Sequence, residues 1–184
     1  MTKPISRTLA FALAIFFLAA VSSERSPLPA RVEAAGDASA AASAAQPSVE
    51  EARRLARVLH TAIHSALQHV HHRYYRVDER LPLPAAIIRD VFADVEKEHQ
   101  VKLRWLAVEG QAMRESHKAR SAFDLEAVKV LSSGKQEFER AEKGVYERAG
   151  AITLTNECLK CHVPDRKTTE NRTAGLVITI PIRE

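Results

Sequence analysis

The chain has 184 residues, of which 46% are hydrophobic and 27% charged, a mixture typical of one globular domain. Its 27 lysines and arginines exceed its 23 aspartates and glutamates by only four charges, and the two signs are intermixed without long runs. This argues against a nucleic-acid-binding protein, whose basic residues concentrate on one face. With two cysteines, a scaffold held together by several disulfides is excluded as well.

The amino-terminal residues have the pattern of a secretory signal peptide. Lys3 and Arg7 precede an uncharged apolar run of 13 residues from Leu9 to Val21, shorter than the roughly 20 residues that span a bilayer. Small residues follow at the positions that a signal peptidase reads. We therefore predict a signal peptide at 1–22 and an exported protein, periplasmic or otherwise extracytoplasmic. An uncleaved segment that tethers the chain to the membrane is the alternative.

Residues 23–47 are rich in alanine, serine and proline and lack apolar periodicity. A helix of alanines without a face to bury is marginal in water. This stretch is therefore predicted to be a solvated linker, with the folded domain at 48–184.

The folded part begins with helical patterns and then changes to strand patterns. Ser48 and Glu51 form a capping-box signature before a long amphipathic helix that reaches about Tyr75, and Pro84 opens a second helix that ends near His99. Further along the chain, the patterns predict a strand at 101–107, a helix at 123–131, a strand pair at 136–141 and 145–155, and a strand at 176–180. Two long helices followed by strands predict an α+β domain with an antiparallel sheet.

The most specific motif is Cys158-Leu159-Lys160-Cys161-His162, a CxxCH sequence. In this motif two thiols one helical turn apart add to the two vinyl groups of a porphyrin, and the adjacent histidine binds the iron. The motif predicts one covalently bound haem c, with His162 as the proximal iron ligand. A thiol redox pair, a short disulfide and a zinc site are the alternatives for these cysteines.

Beyond this motif, the chain resembles the secreted single-haem c-type proteins with a PAS-like fold, whose domain also occurs as the extracytoplasmic sensor part of histidine kinases. The resemblance rests on short segments in a shared order: Pro84-Ala85-Ala86-Ile87, 102–108, Phe123-Asp124-Leu125-Glu126, Gly144-Val145-Tyr146, the CxxCH, and 174–182. It implies long helices packed on an antiparallel PAS-like sheet, and a haem held by Cys158, Cys161 and His162.

The sixth iron ligand is open. Some relatives use a cysteine just after the alanine-isoleucine pair, but this chain has Ile88-Arg89-Asp90 there and no third cysteine. Among its own residues, His60 and His64 are our first candidates because they lie mid-helix near the edge of the apolar stripe. Met113 is a third candidate, His71 ranks below these, and a vacant site is equally compatible with the sequence.

Four basic residues are candidates to pair with the haem propionates. Three of them lie in or near the motif, Lys160, Arg166 and Lys167, and the fourth is Arg104. No Ser-His-Asp arrangement, phosphate-binding loop or carboxylate pair predicts a catalytic residue. We therefore expect redox or small-ligand sensing, or electron transfer, through a separate redox or signalling protein. A haem peroxidase is the enzymatic alternative.

Overall fold

A computed structural model describes residues 46–75 and 81–184. The predicted signal peptide at 1–22 lies outside the described residues, as does all of the predicted linker except Gln46 and Pro47. Within the two described ranges, no helix has both the length and the apolar character that crossing a bilayer requires.

The described chain forms helices and strands in an α+β order, which confirms the predicted fold class. In sequence they are α1 (Val49–Tyr74), α2 (Pro84–His99), β1 (Lys102–Ala107), a short 3-10 turn (Glu115–His117), α3 (Ala122–Ser132), β2 (Glu137–Glu142), β3 (Val145–Leu154), α4 (Asn156–His162) and β4 (Arg172–Pro181).

The four strands make one sheet in the order β1-β4-β3-β2, with every neighbouring pair antiparallel. β4 is central although it follows the other three in sequence. Because side chains alternate along a strand, Leu176 and Ile178 point to one face of the sheet and Val177 to the other. All three are essentially inaccessible to solvent, so both faces must be covered.

Helices cover both faces. On one face, α1 and α2 contribute Ala52, Ala56 and Phe92 to a core that includes Trp105, whose ring lies 4.9 Å from that of Phe92. The small alanines let α1 approach the sheet closely. On the other face, α3 packs against the sheet through Phe123, Ala127 and Leu131. The domain therefore has three layers, with the sheet in the middle.

The β2–β3 hairpin turns at Lys143-Gly144, as the sequence predicts. Both residues have positive φ, 51° and 69°, which is the conformation of the two-residue turn whose twist matches that of paired strands. Gly144 adopts it without steric cost. The turn fixes the register in which Tyr146 pairs with Ala141 and enters the core fully buried.

The first turn of α3 is built on the buried carboxylate of Asp124. One oxygen accepts hydrogen bonds from the backbone nitrogens of Arg120 and Ser121, at 2.9 and 3.1 Å. The other is bound by the guanidinium of Arg104, on β1. Although burial opposes ionisation, these donors hold the pKa of Asp124 below its usual value. Arg104, which the sequence analysis considered for the propionates, is thus engaged in joining β1 to α3.

We predict that Asp124→Ala lowers the free energy of unfolding by about 3 kcal/mol, because it removes a helix cap and leaves a partly buried guanidinium without its carboxylate. Asp124→Asn keeps an acceptor for the cap and should cost about half as much. Urea unfolding of the purified protein measures both. The matched control is Glu126→Ala, an exposed acid on the same helix, which should change the value by less than about 0.5 kcal/mol. Equal losses for Asp124→Ala and the control would contradict this account.

His60 joins α1 to the sheet. Its Nε2 donates a hydrogen bond to the carbonyl of Ala151 at 3.0 Å, and its ring lies over Gly150. A Cβ at position 150 would stand only 2.5 Å from the ring carbon Cδ2 of His60, so any other residue there would displace the imidazole. Burial, assisted by the charge of Arg148, lowers the pKa of His60 to about 4. The imidazole is therefore neutral at pH 7.

We predict that His60 makes the domain sensitive to acid between pH 6.5 and 4. The unfolded chain binds the proton near pH 6.5 and the folded chain only near pH 4, so the contribution is complete above pH 6.5 and is lost as the pH falls to 4. The loss approaches about 3 kcal/mol. His60→Gln does not titrate and offers an amide donor for Ala151. The difference in unfolding free energy between the two proteins should therefore change across this range. A difference independent of pH would show that His60 is not the titrating group.

Candidate functional site

A cavity of about 890 Å³ opens at the end of the sheet where β1 and β3 end and β4 begins. Its volume is near the upper end of the range for small-molecule and cofactor pockets, about 300–1,000 Å³. The walls come from the carboxyl-terminal half of α1, the first turns of α2, the sheet end, the loop that follows β1, and α4.

The short helix α4 brings the CxxCH residues into this cavity. Cys158, Cys161 and His162 all line it, and both cysteines are free thiols. Leu159, which does not line the cavity, is 1% exposed and anchors α4 to the core. Thr155, at the start of α4, lies with its Oγ1 3.5 Å from the sulfur of Cys158. One helical turn therefore presents two thiols and an imidazole to the same space.

The loop after β1 closes over the end of α4. The backbone nitrogen of Gln111 donates to the carbonyl of His162 at 2.9 Å, and its side-chain amide donates to the carbonyl of Cys161 at 2.7 Å. A Cβ at Gly110 would meet the His162 carbonyl oxygen at 3.1 Å and its Cβ at 3.3 Å. Gly110 therefore lets the loop lie directly against His162 and fix its backbone.

Three further histidines line the cavity with His162: His71 and His72 from α1, and His117 from the 3-10 turn. His72 is exposed. Burial lowers the pKa of His71, His117 and His162. The charges of Arg89, Arg114 and His162 add to the effect at His117, so its neutral form is favoured. The Nε2 atom of His117 is buried and has no hydrogen-bond partner among the described residues. His117 also borders a second, smaller cavity of about 250 Å³.

Of the sixth-ligand candidates predicted from the sequence, the structure places Met113 and the lower-ranked His71 in the cavity. Met113 lines it, 41% exposed. His60 and His64 are not among its lining residues: His60 is bound to the Ala151 carbonyl, and His64 accepts from the side-chain amide of Gln68 at 3.3 Å. The ranking of these two above His71 is therefore not supported by their positions. The helical face on which they lie contacts β3, which the apolar stripe alone does not reveal.

The sequence analysis did not consider His117 as a ligand. The residue lies in an irregular segment between a strand and a helix, where no periodicity indicates which way a side chain points. The only sequence signal is a histidine in the loop that follows a predicted strand, in the same connection as Met113.

The cavity combines apolar walls with cationic groups. Its walls include the consecutive residues 105–108 of β1 and its end, together with Ile152 and Leu154 of β3. Arg89, Arg114 and Lys160 also line it, against one carboxylate, that of Glu157. Neither arginine forms a salt bridge with another residue in the described ranges. The site therefore suits a large apolar molecule that carries acidic groups. Arg166 and Lys167, the other basic residues considered for propionates, do not line the cavity.

Comparison with known proteins agrees with this architecture. The model of the Tll0287-like family matches residues 43–176. In structure, the chain is similar to the cyanobacterial haem protein Tll0287, with a TM-score of 0.55 and 16% sequence identity over 72% of this chain and 98% of that one. No protein of curated function matches. Because the family model covers most of the sequence, the relationship predicted from its motifs is confirmed, and the chain belongs to the Tll0287-like family.

Proposed function

We propose that this protein binds one haem c, with thioether bonds from Cys158 and Cys161 and with His162 as the proximal iron ligand. The observation that carries the proposal is the placement of all three side chains by one seven-residue helix on the wall of one large cavity. This is the arrangement that attachment to one edge of a porphyrin requires. A bound haem would supply an iron that changes between ferric and ferrous states, or that takes a small molecule at an open coordination position.

Three further observations fit haem. The cavity is large enough for a cofactor, its walls are apolar, and the Nε2 of His117 is a buried nitrogen that lacks a partner within the chain. The similar cyanobacterial structure is that of a haem protein, which supports the same ligand class here.

The chain's own residues have separable tasks around such a group. Trp105, whose indole nitrogen donates to the Ala85 carbonyl at 3.1 Å, helps to keep water from the apolar wall. Arg89, Arg114 and Lys160 supply positive charge for the two propionates. Gln111 holds the carbonyls of Cys161 and His162, and so orients the thiol and the imidazole.

The alternatives for the cysteines receive less support. The described residues include no group of three or more His, Cys, Asp or Glu side chains arranged to hold a metal ion, so no zinc site of that kind is built around Cys158 and Cys161. A thiol redox pair needs no cavity of this size, and it leaves the apolar walls and the three cations without a role.

We also propose that the protein is exported and acts in redox or small-ligand sensing or in electron transfer, with a redox or signalling protein as its partner. The support is the signal-peptide pattern at 1–22 together with the CxxCH, because c-type haem is attached outside the cytoplasm. No residue is proposed as catalytic.

We predict covalent haem in protein produced with a c-type haem maturation system. After extraction with acidified acetone, the protein should keep its colour and give a pyridine haemochrome spectrum of haem with both vinyl groups saturated. Cys158→Ala and Cys161→Ala should each show the spectrum of a single thioether bond, and the double variant should lose its haem to the solvent. Ser132→Ala, an exposed residue on α3, is the matched control. A colourless wild-type protein, or one that releases its haem, would overturn the proposal.

Export is tested separately. Residues 1–47 fused to a reporter that is active only outside the cytoplasm should give activity, and deletion of 9–21 should abolish it. Activity that survives the deletion would show that this segment is not the export signal. Recovery of the mature protein with or without residues 1–22 distinguishes a cleaved signal from a membrane tether.

A further inference from the structure

We infer that His117 is the sixth iron ligand, so that the iron is held between two histidines, His162 on α4 and His117 on the 3-10 turn. The inference rests on the proposed function, since it requires a haem in the cavity. It assigns the sixth coordination position of the iron, which the family model and the structural comparison leave open. A cysteine ligand is not available for this position, because the only two cysteines of the chain both belong to the CxxCH.

The first argument is the state of the His117 side chain. Its Nε2 is buried and makes no hydrogen bond within the described ranges, and the residue lines the same cavity as His162. A buried polar atom without a partner costs about 1–3 kcal/mol. A metal ion in the cavity would satisfy this nitrogen, and imidazole nitrogen is a common haem iron ligand.

The second argument is that the backbone holds His117 in place. Its nitrogen donates to the Arg114 carbonyl at 3.0 Å, and the next nitrogen, that of Lys118, donates to the Glu115 carbonyl at 3.2 Å. The side chain of Arg120 donates to the same Glu115 carbonyl at 2.9 Å. Arg120 is in turn adjacent to the Asp124 cap, since its backbone nitrogen donates to that carboxylate. These hydrogen bonds connect the 3-10 turn to the start of α3. The backbone that bears the His117 imidazole is therefore held in one position.

The third argument is that the other candidates in the cavity are exposed or have other contacts. His72 is exposed. The ring of His71 packs against Tyr75, with 5.0 Å between ring centres. The sulfur of Met113 already accepts from the Gln111 side chain at 3.8 Å and is partly exposed. Among these side chains, His117 has the nitrogen that is both buried and unpaired.

A ligand at this position has a consequence for the biological role. Two protein histidines fill both axial positions and leave no place for oxygen, carbon monoxide or peroxide without displacement of a ligand. Bis-histidine ligation therefore favours electron transfer or redox sensing over small-ligand sensing, and it argues against peroxidase activity.

The test uses the holoprotein and its His117→Ala, His117→Met, His71→Ala and Met113→Ala variants. Absorption, electron paramagnetic resonance and resonance Raman spectra should show six-coordinate low-spin iron in the wild type and in the His71 and Met113 variants. His117→Ala should become high-spin, bind carbon monoxide readily when reduced, and return to low-spin on addition of imidazole. His117→Met should show methionine–histidine ligation and a raised midpoint potential.

The outcomes separate this inference from the proposed function. Acid-acetone extraction and the pyridine haemochrome, measured on every variant, report covalent attachment and do not depend on the sixth ligand. Covalent haem with a high-spin wild type, or with an unchanged low-spin spectrum in His117→Ala, would overturn the assignment of His117 alone. Conversion to high-spin in His71→Ala but not in His117→Ala would transfer the role to His71. If His117→Ala does not fold, an unchanged spectrum and potential in His117→Met would also overturn it.

Discussion

The site depends on a helix that is too short to be stable by itself. A helix of seven residues gains too few hydrogen bonds to offset its nucleation cost, so the position of α4 is imposed by its neighbours. Leu159 buries one side of it in the core, and the two hydrogen bonds of Gln111 take up carbonyls at its end. Through these contacts the loop after β1 determines where Cys161 and His162 lie, and the same loop leads to His117. The two proposed iron ligands, His162 and His117, are therefore both positioned by the loop after β1.

Much of the fold could be predicted because it follows from local physical chemistry. Ser48 and Glu51 form the capping box that begins α1, Pro84 occupies the first turn of α2, and the Lys143-Gly144 turn joins two segments with strand periodicity. The order of the strands in the sheet could not be predicted in this way. Nothing local indicates that β4 lies between β1 and β3, since that arrangement depends on which faces α1, α2 and α3 cover.

The site could be predicted only in part for the same reason. The three residues of the CxxCH lie within five positions of the sequence. Cys158, Cys161 and His162 could therefore be identified as a group from their spacing alone. The partner on the other side of the cavity comes from a distant segment, and helical periodicity favoured His60, which instead bonds to the Ala151 carbonyl over Gly150. His117 lies on a turn whose orientation is set by contacts with α3, and such contacts leave no regular pattern in the sequence.

The central place of β4 has a consequence for biogenesis. β4 pairs with β1, some 70 residues earlier in the chain, and also with β3, and it follows both thiols in sequence. If the chain is exported as proposed, the sheet cannot close until this strand has emerged from the translocation channel, because β4 is the only strand of the described residues that pairs with β1. Both sulfur atoms would then leave the channel before the sheet is complete. The proposed covalent attachment of haem would precede tertiary closure, and the haem would become enclosed when β4 pairs with β1.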